Sequence, residues 1–250
     1  MRIISRIDVK NDSAIKGIHL EGLRKIGNPN EMAKKYYNQG IDEIIFMDAV
    51  AAYYNRNSLS SLVEKACKDI FVPITVGGGI RNIEDIQTAL NSGADKTAIN
   101  TAAVINPNLI SQASRVFGSQ CIVSSIDVMK KSDDRWEVYI DNGREPTGID
   151  ALEWVKKVEQ LGAGEIMLTS IDMEGTKKGF DIELNKSVSE AVSIPIISCG
   201  GAGSDIDIAN LVESSNIDAV ALASILHYDL YSIHSIKEYL WNEKEVVVRI

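Results

Sequence analysis

Asp8 and Asp127 each stand at the end of a short apolar run, in Ile7-Asp8-Val9-Lys10 and Ile122-Val123-Ser124-Ser125-Ile126-Asp127. Two carboxylates in unlike surroundings have pKa values that can be driven apart, leaving one as a general acid and the other as a base. Two glycine turns, Gly77-Gly78-Gly79 and Gly200-Gly201, close other apolar runs. Glycines let backbone N–H groups approach an anion, and a helix starting just beyond adds its positive end, so these turns suit phosphate. Asn100-Thr101 and Ala223-Ser224 follow them at matching strand ends, and Asp48 and Thr169-Ser170 hold comparable positions. One strand-end Asp could only cap a loop, and one glycine pair could only turn the chain. The paired arrangement points to acid–base chemistry on a small molecule phosphorylated at both ends.

The elements that must position these residues alternate along the whole chain. Strands are expected at Ile3–Asp8, Glu43–Asp48, Pro73–Val76, Lys96–Asn100, Cys121–Asp127, Glu165–Thr169, Ile194–Ser198 and Ala219–Leu222. Helical spacing of apolar residues falls between them, at Asn30–Asn38, Ser58–Asp69, Ile83–Asn91, Pro107–Phe117, Asp150–Leu161, Ile182–Val192, Asp205–Glu213 and Ser232–Trp241. Asn82, Asn106, Asp181 and Ser204 are candidate N-caps. Trp136–Ile140 with Asn142-Gly143 reads as a small hairpin inserted after the fifth strand. Alternation of this kind predicts a single (β/α)8 TIM barrel domain over residues 1–250. Strands one and five lie opposite each other in such a barrel, so Asp8 and Asp127 would face across its mouth.

The chain also repeats itself at a separation of roughly 120 residues. Gly79 answers to Gly201, Asp95 to Asp218 and Asp8 to Asp127, so each half is expected to be a (βα)4 unit.

Composition narrows the function classes. A net charge of −9 over 250 residues supplies no basic face for nucleic acid. No apolar run reaches the ~20 residues needed to span a bilayer, and no secretory segment opens the chain, so a cytoplasmic enzyme is expected. Cys67, Cys121 and Cys199 lack metal-ligand spacing, and His19, His227 and His234 add none, so no metal and no cofactor is expected. Cys67 and Cys121 read as core positions, Cys121 opening a strand, whereas Cys199 lies where it could line a site.

A set of longer motifs now becomes specific. Ile7-Asp8-Val9-Lys10, Val76-Gly77-Gly78-Gly79-Ile80, Ile99-Asn100-Thr101-Ala102-Ala103, Phe117-Gly118-Ser119-Gln120, Gly162-Ala163-Gly164-Glu165-Ile166, Leu168-Thr169-Ser170-Ile171-Asp172 with Gly175-Thr176, and Gly200-Gly201-Ala202-Gly203 span the chain. Together they resemble the cyclase-subunit family of imidazole glycerol phosphate synthase. The resemblance implies a barrel that takes ammonia from a separate glutaminase subunit in a heterodimer. It implies closure of the imidazole ring on a ribulosyl formimino-carboxamide ribonucleotide, releasing imidazole glycerol phosphate and aminoimidazole carboxamide ribonucleotide.

By motif position, the resemblance makes Asp8 and Asp127 the acid–base pair, Lys16 the mobile-loop lysine and Asp48 a supporting acid. Gly79, Asn100 and Thr101 match one phosphate site, and Gly175, Gly201, Ala223 and Ser224 the other, with Thr169 between them. It makes Arg2, Glu43, Lys96 and Glu165 an ammonia gate at the opposite end of the barrel. Arg2 with Asp8, Lys96 with Asn100, and Glu165 with Thr169 share strand parity, so each pair faces one way. Glu43 and Asp48 do not, and their strand would need an irregularity. The chain itself shows no Cys–His nucleophile context for making ammonia, which implies a partner.

The sequence departs from the family near the substrate. Arg6 shares parity with Asp8 and should project inward, where a small residue is usual; there it would lower the Asp8 pKa, and it would either narrow an ammonia path or make polar contacts across the inner layers. The loop Asn11–Gly17 and the following Ile18–Leu23 are altered, and Glu174 replaces the usual Asp. An alternative is therefore a paralogous ammonia-dependent synthase forming an amidino group in surface-sugar biosynthesis. The sister phosphoribosyl formimino isomerase and a non-catalytic glutaminase-activating barrel are further alternatives.

Overall fold

The computed structural model describes residues 1–51, 59–132 and 135–249. Eight parallel strands close into a barrel. In spatial order they are β1 (Arg2–Lys10), β4 (Glu43–Asp48), β5 (Ile74–Gly77), β6 (Lys96–Ile99), β7 (Ile122–Ser132), β10 (Glu165–Ser170), β11 (Ile196–Cys199) and β12 (Ala219–Leu222), which returns to β1. Two antiparallel additions rise from the same end: β2 (Ser13–Ile18) with β3 (Glu21–Gly27) beside β1, and β8 (Arg135–Ile140) with β9 (Glu145–Asp150) beside β7. Among the described residues no helix is long and apolar enough to cross a membrane.

Strand parity divides the core into two bodies. Outward residues such as Ile3, Ile7, Ile44, Phe46, Val76 and Ile166 pack under the helices. Inward residues Ile4, Ile45, Ala98, Val123, Met167, Ile197, Ala219 and Ala221 fill the barrel as a separate apolar layer. The helices start where short polar side chains accept the first free backbone N–H groups. Asn82 accepts from Asp85, Asp181 from Leu184, and Ser204 forms a reciprocal capping box with Asp207.

Several expectations need correcting. Asn106 is not an N-cap: it ends the short helix Thr101–Ile105, and the helix Asn108–Phe117 starts behind Pro107 without a side-chain cap. Cys121 closes a 3-10 turn before β7 begins, and Cys67, at the end of the helix Ser60–Ala66, is only half-buried, its thiol donating to the Gly93 carbonyl at 3.3 Å. Ser58, where helical spacing starts that helix, lies outside the described residues. The stretch after β1 is a hairpin rather than a loop. No irregularity is needed in β4, because its pairing with β1 and β5 is continuous. Met47 takes the inward position, and Asp48 reaches the mouth from the strand end.

Candidate active site

Asp8 lies near the end of the barrel portion of β1 and Asp127 near that of β7, opposite it, and both residues are more than nine-tenths buried. Arg6, two residues before Asp8 and on the same face, runs across the lumen between them. Its Nε donates to Asp8 Oδ1 at 2.9 Å, and its Nη1 donates to Thr169 Oγ1 at 3.1 Å and lies 3.5 Å from Cys199 Sγ. Asp127 Oδ2 accepts from Asn100 Nδ2 at 2.8 Å, and Thr169 stands next to Asp127 on the neighbouring strand, its hydroxyl favouring the Asp127 anion. Asp8, Asp127, Asn100 and Thr169 are thereby brought together in one network.

The two carboxyls are not equivalent. Burial pushes both upward. At Asp8 the adjoining Arg6 guanidinium and the Lys16 ammonium outweigh burial and hold the group below the ordinary carboxylate range. At Asp127 the donors are neutral and Arg6 is more distant; burial and the Asp8 charge keep the group above that range. His227 closes the network from behind: its Nε2 donates to the Arg6 carbonyl at 3.0 Å, leaving Nδ1 to accept from the Tyr36 hydroxyl at 2.8 Å. Burial, with Lys16 nearby, pulls this imidazole down to about 4, so it is neutral at pH 7.

A cavity of about 320 Å³ opens beside Asp127. Arg6, Asp48, Gly79, Asn100 and Thr101 line it, as sequence reading expects, and so does Arg81, which that reading missed. Nothing in the local pattern around Arg81 announces a ligand-facing side chain; only the Gly78-Gly79 turn brings it round. That turn requires glycine. Gly78 has φ +88°, and a Cβ there would stand 2.2 Å from the Asp48 carbonyl oxygen. Thr101 is tied to the β8–β9 turn, its hydroxyl accepting from the Asp141 backbone N–H at 3.1 Å.

The second flank has the same backbone plan and almost no space. Asn100 and Ala223 share an unusual conformation, φ −117°, ψ −89° and φ −128°, ψ −83°, each launching a short helix. Gly175, Gly201, Ala223 and Ser224 surround a void of only about 10 Å³, room for roughly one water. The β2–β3 hairpin sits down on it. Lys16 forms a buried ion pair with Glu174, His19 N–H donates to the Glu174 carbonyl at 2.8 Å, and a Cβ on Gly175 would meet Gly17 O at 2.5 Å. Lys16 thus touches Glu174 rather than the cavity.

At the other end of the barrel Arg2, Glu43, Lys96 and Glu165 form a closed ring. Arg2 bonds Glu43 at 2.9 Å and also Glu165; Lys96 bonds Glu43 at 2.9 and 3.0 Å and Glu165 at 2.9 Å. Each cation bridges both carboxylates. Above the ring comes the apolar inner layer, then Arg6, then the aspartates. A groove of about 660 Å³ beside the ring is lined partly by Met1, Gln120 and the C-terminal Val247–Arg249. Among the described residues no three His, Cys, Asp or Glu side chains gather as a metal site.

Comparison with known proteins agrees with this architecture. A family model described as "Histidine biosynthesis protein" matches residues 2–232. A Legionella pneumophila protein named imidazole glycerol phosphate synthase subunit HisF is 58% identical over 203 residues, covering 81% of this chain and 96% of that protein. A Dehalococcoides mccartyi protein of the same name is 47% identical over 249 residues, covering 100% of this chain and 98% of that protein.

Proposed function

Because the chain belongs to the histidine biosynthesis protein family, we propose that it is the cyclase subunit of an imidazole glycerol phosphate synthase, with Asp8 and Asp127 as its acid–base pair. The substrate is the ribulosyl formimino-carboxamide ribonucleotide. Condensation of ammonia with the ribulosyl carbonyl requires two protons to pass from nitrogen to the oxygen that departs as water. Expulsion of the aminoimidazole carboxamide ribonucleotide requires a proton on the leaving nitrogen. Two neighbouring carboxyls beside one cavity, with pKa values driven apart in opposite directions, suit that traffic.

The observation that carries this reading is Arg6, which bonds Asp8 and Thr169 and lines, with Asp127, a cavity bounded by the Gly78-Gly79 turn. Backbone N–H groups beside Gly79, with Thr101 and Arg81, would hold one phosphate; Gly175, Gly201, Ala223 and Ser224 would hold the other once the hairpin lifts, with Lys16 released toward the substrate and Asp48 supporting the pair. The surface-sugar alternative is not favoured, since the relatives compared carry the histidine-pathway name.

A glutaminase subunit supplies ammonia on this reading, docking over the groove at the strand-start end, with Arg2, Glu43, Lys96 and Glu165 as the gate. A cytoplasmic setting suits three cysteines that are all free thiols. The test is turnover of the purified chain with the ribulosyl substrate and an ammonium salt, followed by release of aminoimidazole carboxamide ribonucleotide. Release that is lost in both Asp8→Asn and Asp127→Asn supports the proposal; no release at high ammonium overturns it.

A further inference from the structure

Resting on the reading that the two aspartates share proton transfer, we propose that Arg6 is the positioning residue that gives them different jobs, fixing Asp8 as the anion and leaving the proton to Asp127. The asymmetry lies in the contacts. Asp8 Oδ1 receives a cationic donor directly, at 2.9 Å from Arg6 Nε. Asp127 receives a neutral donor, the Asn100 amide at 2.8 Å, and has the Thr169 hydroxyl beside it on the neighbouring strand.

Thr169 makes the link directional. Its oxygen accepts from Arg6 Nη1 at 3.1 Å, so its own hydrogen is free to point at Asp127. The order is Asp8, Arg6, Thr169, Asp127, with one positive charge at one end of it. A guanidinium stays charged at any working pH, so it fixes the arrangement rather than titrating with it.

Lys16, from β2, adds to this asymmetry by lowering Asp8 as well, but its bond goes to Glu174 and not to either aspartate. His227, from the helix after β12, is neutral at pH 7 and bonds the Arg6 carbonyl. Cys199 on β11 contacts Arg6 itself, and Asp48 on β4, Arg81 and Asp141 lie around the cavity. Arg6 is alone among these in bonding Asp8 directly while also bonding Thr169, the strand neighbour of Asp127.

The test is titration of the aspartate carboxyls by carbon NMR in the wild type, Asp8→Asn, Arg6→Met and Arg6→Lys, alongside the pH profile of kcat/KM. The signal missing from Asp8→Asn should titrate below the ordinary carboxylate range in the wild type. In Arg6→Met it should move up by at least about one pH unit, carrying the acid limb of kcat/KM with it, and Arg6→Lys should restore most of the shift. An Asp8 signal at or above the ordinary range in the wild type overturns the proposal, and needs no variant at position 6 to fold. So does an acid limb that stays put in Arg6→Met while kcat falls, which marks a merely structural role. The NMR titration needs no turnover, so an inactive wild type would overturn the proposed reaction and leave this result readable.

Discussion

Arg2 Nη1 donates to Glu43 Oε2 at 2.9 Å, with the guanidinium side chain 33% exposed and the carboxylate side chain 1% exposed. A carboxylate so deeply placed depends on its cations, and Glu43 has a second one in Lys96 and a neutral donor in Thr75 Oγ1 at 2.8 Å. Lys96→Met should therefore lower stability by about 2–3 kcal/mol, because Glu43 and Glu165 are left facing each other with Arg2 as their remaining cation in the ring. Urea unfolding at neutral pH checks this. Turnover with saturating ammonium salt should survive, since the ring lies at the far end of the barrel from the aspartates.

Position at a strand end suggests that either proposed catalytic aspartate is cheap to replace, but the Arg6 contact separates them. Asp8→Asn strips a buried guanidinium of its ion pair and should cost about 3 kcal/mol. Asp127→Asn should cost within about 1 kcal/mol, because its donors are neutral and burial already disfavours its ionised form. Both should lose at least about 100-fold in turnover. Denaturation midpoints measured beside activity separate the two effects; equal stability losses would contradict the arrangement.

His227 gives the chain an acid sensitivity of known sign. Its folded-state pKa is lowered from 6.5 to about 4, so the unfolded state binds the proton first. The contribution is fully present above pH 6.5 and lost as pH falls through about 4. It should amount to about 3 kcal/mol. His227→Gln should lose that slope between the two values, measured as unfolding free energy against pH, even if it is less stable throughout.

Glu174 pins the β2–β3 hairpin. Removing its charge in Glu174→Ala should free Lys16 and raise hydrogen exchange of the Ile15–Leu20 amides at least about tenfold, with protection of β1 unchanged. Unaltered exchange there would mean that the hairpin is held by Leu20 packing on Tyr139 and Ile171 instead.

The barrel was legible in the sequence because its strands are apolar on both faces and its helices carry caps such as Asn82, Asp181 and Ser204 that act within a few residues. Local signals of that kind survive without tertiary context. The hairpin after β1 was not legible. Its polar Asn11-Asp12-Ser13 reads as turn, and Glu21–Gly27 is largely exposed; what orders it is Glu174, which no local pattern couples to Lys16. Of the candidate site, the aspartates, the glycine turns and Asn100-Thr101 could be read from matched positions in the two halves. Arg81 could not, having no counterpart motif, and the direction in which Arg6 reaches depends on Thr169 and Cys199, both distant in sequence.

The unequal space on the two flanks of the mouth sets a sequence of events. On the proposed reading, a ligand carrying an anion at each end finds one berth ready and the other filled by backbone. It must anchor beside Gly79 first, and its far end gains a place only by prising Gly17 off Gly175 and parting Lys16 from Glu174. A molecule with a single charged end can take the open berth but has no means of lifting the hairpin, so length, as much as charge, becomes the criterion for full engagement.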